Sequence, residues 1–156
     1  MPRAPLATIL LVEDDASDAE LFRRGFEKAN VLNPLVQLHN GDEALAYLAG
    51  VDQYSDRVKF PLPALILLDL KMPGMTGLQL LQWMRTQRDI RRIPVVVLTG
   101  NEEPATVNAA YDLGVNSYLL KPGDAAQIGE LVQSIQRYWM EMNQAPQLVM
   151  RAEHRS

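Results

Sequence analysis

Hydrophobic positions along the chain fall into two alternating patterns. Runs at Thr8–Val12, Leu35–His39, Ala64–Leu68, Val95–Leu98 and Ser117–Leu120 are short and mostly rich in Val, Ile and Leu, which predicts strands. TILLV, ALILL and VVVL are apolar at nearly every position, as expected of parallel strands covered by helices on both faces. The run at 35–39 is more mixed and belongs nearer a sheet edge. Between the runs, apolar residues recur at three- and four-residue spacing. Leu21, Phe22, Gly25, Phe26 and Ala29 follow the cap candidates Ser17 and Asp18, and Ala44, Leu45, Tyr47 and Leu48 follow Gly41-Asp42. Leu78, Leu81 and Met84 mark a third helix, and Val107, Ala110 and Tyr111 a fourth that ends before Gly114. Ile128, Leu131, Val132, Ile135, Tyr138, Trp139 and Met142 mark a fifth. Five strand-then-helix units predict an α/β fold, a doubly wound five-stranded parallel sheet in strand order 2-1-3-4-5, flavodoxin-like (βα)5.

Length and composition narrow this picture without redirecting it. At 156 residues and 17.5 kDa the chain suits one domain, 1–156, with a core over about 6–140 and a C-terminal extension over 141–156. GVDQYSDRVKFPLP, ahead of the third strand, reads as a polar surface loop, and the extension as a frayed end or a partner-binding appendage. There is no cysteine, so disulfides, thiolate metal sites and cysteine nucleophiles are excluded, and a reducing compartment fits. Apolar runs are too short to cross a membrane, and the N-terminus has no small-residue cleavage site, so a cytoplasmic location is expected. A net charge of −4 argues against nucleic acid as a partner. Arg85, Arg88, Arg91 and Arg92 follow a helix C-terminus, where the dipole favours solvated cations. His39 and His154 are read as structural or solvent-facing.

Acids at strand ends carry the candidate chemistry. From residue 13 to residue 20, five of eight residues are acidic. Glu13, Asp14 and Asp15 follow the first strand and Asp69 ends the third, and carboxyl ends of neighbouring parallel strands face one crevice at the switch point. Converging carboxylates raise a pKa or recruit a hard divalent cation, Mg2+ or Mn2+. For Asp15 and Asp18, capping of the first helix is the simpler role. Thr99, followed by Gly100, ends the fourth strand, and Lys121 ends the fifth. A carboxylate, a cation site, a hydroxyl and an ammonium together suit phosphoryl transfer, with Asp69 as acceptor.

LVEDD at 11–15, LILLDLKMPGMTG at 65–77, PVVVLTG at 94–100 and GVNSYLLKP at 114–122 resemble the receiver domain of two-component response regulators over about residues 6–140. The resemblance implies that Asp69 takes phosphate from a phosphohistidine of a sensor kinase. It also implies that Asp14, Asp69 and the Lys71 backbone carbonyl hold the metal, with Glu13 acting through water. Thr99, Gly100 and Lys121 would bind the phosphoryl group, Tyr118 would be the aromatic that changes rotamer, and the Lys121–Pro122 bond would be cis. Gly123 departs from the family, which often has an aromatic there. Lys71 places a second cation two residues after the acceptor, and a slow loss of phosphate is expected from it.

Three functions compete at this stage: a phosphorylation switch acting through protein contacts, a phosphorelay intermediate or phosphate sink, and an aspartyl-phosphate phosphohydrolase. The last normally needs an acid two residues after the nucleophile; Lys71 stands there instead, so a non-enzymatic switch is favoured. With about fifteen residues after the fifth helix, no output domain is expected. Apolar bulk at Ile135, Tyr138, Trp139 and Met142 predicts a partner face, most simply a homodimer through the fourth helix, fifth strand and fifth helix. The loop before the third strand, RRIPVVVLT and YWMEM resemble the response regulators paired with bacterial and cyanobacterial phytochromes, which implies a bacteriophytochrome-type histidine kinase as partner.

Overall fold

A computed structural model describes residues 6–148. Five parallel strands, β1 (Ile9–Val12), β2 (Leu35–Leu38), β3 (Leu65–Leu68), β4 (Val95–Thr99) and β5 (Ser117–Leu120), alternate with α1 (Ala16–Lys28), α2 (Gly41–Ala49), α3 (Gly77–Arg85), α4 (Pro104–Asp112) and α5 (Ala125–Ile135). The sheet order is β2-β1-β3-β4-β5, as the sequence predicts. Because side chains alternate along a strand, each central strand feeds two cores. Leu10, Val12, Ile66, Leu68, Val95 and Val97 pack with Tyr47, Leu48, Leu80, Leu81 and Met84 of α2 and α3. Ile9, Leu11, Leu65, Leu67, Val96 and Leu98 pack with Phe22, Phe26, Ile128, Val132 and Ile135 of α1 and α5.

Local chemistry sets where the helices begin. Asp15, rather than Ser17 or Asp18, caps α1, accepting from the Asp18 backbone N–H at 2.9 Å. Asn40 and Asp124 cap α2 and α5, Thr76 and Gln79 form a capping box on α3, and Pro104 opens α4. Gly25 lets α5 approach α1, since a Cβ there would stand 3.1 Å from the Val132 side chain.

Two segments differ from the sequence expectation. The stretch before β3 is more than a polar loop: Phe60 packs edge-on and Tyr54 at a tilt against Tyr47, and the Arg57 guanidinium donates to the carbonyls of Tyr47, Leu48 and Phe60. The Leu48 carbonyl, and the Tyr47 carbonyl that also accepts from the Gly50 N–H at 3.1 Å, lie in the last turn of α2, so Arg57 stabilises the end of that helix. The fifth helix stops at Ile135 and continues as a π-helical stretch, Gln136–Met142. Leu148 then packs against the core face shared by α2 and α3. Val149 and Met150, part of the expected apolar patch of the extension, lie outside the described residues, as does His154.

Ile135 does not belong to a partner face. It is buried against Phe22 and Phe26, because it stands one helical turn beyond Leu131 and Val132 on the side facing α1. The Lys121–Pro122 bond is trans, since there is no cis peptide bond among the described residues. Trans is favoured by about 0.5–1 kcal/mol even before proline, and the trans chain already delivers the Lys121 ammonium to the acids.

Two glycines give opposite expectations. A Cβ at Gly77 would lie 2.7 Å from the Leu70 Cα and 2.8 Å from the Asp69 carbonyl, both backbone, whereas one at Gly129 in α5 meets nothing within 4 Å. Urea denaturation should show Gly77→Ala less stable than the parent by about 1–3 kcal/mol and Gly129→Ala more stable by roughly 0.5–1 kcal/mol.

Candidate phosphoacceptor site

Strand register assembles the site. Val12 lies opposite Leu68, so Glu13 and Asp69 leave the sheet side by side, and the Asp69 N–H donates to the Val12 carbonyl at 3.1 Å. Thr99 lies opposite Leu120, and the Lys121 N–H donates to the Thr99 carbonyl at 2.9 Å. Four strands thus bring acids, hydroxyl and ammonium to one edge. The resulting crevice, about 750 Å³, is lined by Glu13, Asp14, Asp15, Asp18, Asp69, Lys71, Thr99, Gly100, Asn101 and Lys121.

Burial is uneven among these groups. Glu13 is 2% exposed, Asp69 7% and Thr99 2%, while Asp14 is open to solvent. The Lys121 ammonium reaches Glu13 Oε1 at 2.5 Å, Asp18 Oδ2 at 3.0 Å and Asp69 Oδ2 at 3.1 Å. The other Asp69 oxygen, Oδ1, accepts from the Lys71 backbone N–H at 3.1 Å. Burial raises the Glu13 carboxyl to about 7, winning over the hydrogen bonds from Lys121 and the Asp15 backbone; the nearby Asp69 charge adds to the rise. For Lys121, burial alone would lower the pKa, but hydrogen bonds to Glu13 and Asp18 and the charges of Asp69 and Glu13 outweigh it, so the ammonium titrates above its ordinary value. Three buried or half-buried acids thus share a single nearby cation, with burial dominating at Glu13 and the acids dominating at Lys121.

Glu13, Asp14 and Asp69 each offer a carboxylate oxygen, and these oxygens lie within 4.8 Å of one another. An all-oxygen donor set with excess negative charge and one open side suits Mg2+ or Mn2+, which keep some of their waters. A cation there would also offset the burial and the Asp69 charge that together raise Glu13.

Tyr118 and Thr99 are tied to the same residue. The Tyr118 hydroxyl donates to the Asn101 carbonyl at 2.6 Å, and the Asn101 N–H donates to Thr99 Oγ at 3.4 Å. Sequence reasoning did not find Asn101, nor the role of Asp18, whose carboxylate meets Lys121 rather than capping the helix. Nothing local signals a partner 103 residues away. Of the basic cluster, Arg88, Arg91 and Arg92 are exposed, whereas Arg85 is half-buried beside Gly114. His39 is solvent-facing, 3.5 Å from Glu43.

Comparison with known proteins gives this geometry its context. The response regulator receiver domain family matches residues 9–133. The chain belongs to that family. It is 36% identical over 137 residues to the response regulator Rcp1 of Synechocystis, covering 88% of this chain and 91% of Rcp1. Among solved structures it is similar to the phosphorylated cyanobacterial phytochrome response regulator RcpA, with a TM-score of 0.85, 32% identity, and coverage of 91% of this chain and 99% of that one. It is also similar to the Mn2+-bound form of Rcp1, with a TM-score of 0.82, 35% identity, and coverage of 90% and 99%. Receiver domains accept phosphate from histidine kinases, and the acid cluster of this chain fits the divalent-metal site of such a receiver. No helix among the described residues is long and apolar enough to cross a membrane.

The elevated Glu13 value has a consequence for stability without metal. The folded chain holds the Glu13 proton more tightly than the unfolded chain, so that contribution is full below pH about 4.5 and is lost as pH rises to about 7. Measured in a chelator, the stability of the parent relative to Glu13→Gln should fall across this window by roughly 3 kcal/mol. Saturating Mg2+ should flatten the difference; an equal pH slope in parent and variant would contradict it.

Proposed function

We propose that Asp69 is the phosphoacceptor of a single-domain switch, carrying phosphate received from a phytochrome-type sensor histidine kinase. The observation that carries this reading is the buried Asp69 carboxylate, with Lys121 Nζ at 3.1 Å and the oxygens of Glu13 and Asp14 within 4.8 Å. An Asp69 oxygen attacks phosphorus, a new O–P bond forms, and the P–N bond of the phosphohistidine breaks, its electron pair leaving with the imidazole. The Lys71 N–H fixes Oδ1, which orients Oδ2 toward the crevice and Lys121. Lys121 then neutralises charge on the arriving phosphoryl oxygens. A bound Mg2+ or Mn2+, held by Asp14, Asp69 and the Lys71 carbonyl with Glu13 acting through water, would supply further charge neutralisation.

Readout follows from Thr99. Its hydroxyl, with the backbone at Gly100, would bind the phosphoryl group, and moving it strains the bond from Asn101; Asn101 in turn holds Tyr118. Tyr118 then leaves the Asn101 carbonyl and repacks, altering the surface of α4, β5 and α5. On that side Leu120, Tyr138 and Met142 are about half or more exposed, and Trp139 stacks edge-on against Tyr138 at 4.9 Å. This supports a second copy of the chain as the partner across this face. The phytochrome assignment rests on the likeness to Rcp1 and RcpA.

Incubation with a small acyl phosphate and Mg2+ should label the parent stoichiometrically and Asp69→Asn not at all; many turnovers on phosphate esters would favour a phosphohydrolase. In the same experiment Lys71→Ala should lose phosphate faster than the parent. Sedimentation should show a larger species for the parent than for Tyr138→Ala and Trp139→Ala; equal masses would remove this face as the dimer contact.

A further inference from the structure

We infer that Asp18 is a positioning residue for Lys121: its carboxylate, fixed by the first turn of α1, holds the ammonium in line with Asp69 so that one of its protons is free to pass from Asp69 to a phosphoryl oxygen. The inference rests on the phosphoacceptor reading above and extends it to a residue outside the metal cluster. An ammonium has three protons, and here each has one acid: Glu13 Oε1 at 2.5 Å, Asp18 Oδ2 at 3.0 Å and Asp69 Oδ2 at 3.1 Å. When Asp69 becomes an acyl phosphate, its carboxylate charge is consumed in the ester and the charge moves out to the phosphoryl oxygens. The bond to Asp69 is therefore the one exchanged, and the other two decide where the nitrogen stands during the exchange.

Those two anchors act from different directions. Glu13 directly follows β1 and is buried, with a side chain 2% exposed, whereas Asp18 belongs to α1 and is 34% exposed. With Glu13 alone, the long lysine side chain would be free to swing about a single contact. The backbone beneath Asp18 is itself held, because the Asp15 side chain accepts from the Asp18 N–H at 2.9 Å and the Asp15 N–H donates to Glu13 Oε2 at 3.2 Å. Asp15, Asp18, Glu13 and Lys121 thus close a ring of hydrogen bonds joining α1, β1 and the end of β5. Position three of a helix also favours a carboxylate through the dipole, which suits Asp18 to this place.

Two measurements test this. The first follows the Lys121 ammonium by 15N–1H correlation in the unphosphorylated chain, with Lys121→Ala for assignment. The parent should give a slowly exchanging ammonium signal, Asp18→Ala should broaden it into solvent exchange, and Asp18→Asn, which keeps an acceptor oxygen without the charge, should fall between. The second follows phosphorylation by a small acyl phosphate with Mg2+. Asp18→Ala should slow labelling by roughly three- to tenfold, Asp18→Asn by less, and adding Asp18→Ala to Lys121→Ala should slow it no further. An unchanged ammonium signal in Asp18→Ala, or an equal slowing with and without Lys121, would overturn the inference. A parent that takes no label on Asp69 would instead defeat the phosphoacceptor reading, while the ammonium measurement would still decide the role of Asp18.

Discussion

The rest of the structure depends on an electrostatic conflict at one edge of the sheet. Parallel pairing of β1 with β3 forces Glu13 and Asp69 into adjacent, buried positions, and burying like charges together is among the costliest arrangements a fold can hold. The cation that reaches both, among the described residues, is the half-buried Lys121, delivered by β5 from the far side of β4. The order of the sheet is therefore a condition for neutralising the site, and the two apolar cores are what hold the strands in that order. Because one ammonium does not balance three acids, the crevice is poised to gain positive charge and, through it, a phosphoryl group.

The same unbalanced charge explains how a local event would reach the surface. Lys121 and Thr99 lie on neighbouring strands whose backbones are joined by the Lys121 N–H to Thr99 carbonyl bond. Thr99 and Tyr118 are joined through Asn101. On the proposed reading, a change in what Lys121 and Thr99 bind would act on the loop between β4 and α4 and on the Tyr118 ring, with no need for movement of the strands. The core is too well filled to deform continuously, which favours a discrete change in that loop and ring over a diffuse one.

Most of the fold was legible because its signals are local. The nearly unbroken apolar runs of β1, β3 and β4 and the three- and four-residue spacing of the helices carry the double-wound architecture, and strand order then places Asp69 beside Glu13 and Asp14. What escaped reading depends on contacts between distant residues. Asp18 looks like a cap, and only the three-dimensional approach of Lys121 gives its carboxylate another partner. Ile135, Tyr138 and Trp139 look alike in a helical pattern, yet the widening into a π-helical stretch after Ile135 leaves the first buried, the second exposed and the third between them. The aromatic packing of Tyr47, Tyr54 and Phe60 is likewise hidden in a segment whose polar residues suggest a plain loop.

The surroundings of Asp69 also bear on whether an aspartyl phosphate would be an intermediate or a signal. Hydrolysis of phosphate esters through such an adduct needs a proton for the departing alkoxide, and the group two residues on would be placed to supply it. That position holds Lys71, whose backbone N–H is already committed to Asp69 Oδ1. A carboxylate, or an imidazole already protonated on its other ring nitrogen, leaves without a proton from this chain, so acyl phosphates and phosphohistidine would place a smaller demand on the site than esters. Once formed, the adduct would sit between Lys121, Thr99 and the open side of the crevice. The chemistry that admits phosphate is therefore different from the chemistry that would remove it, and that asymmetry is what a switch requires.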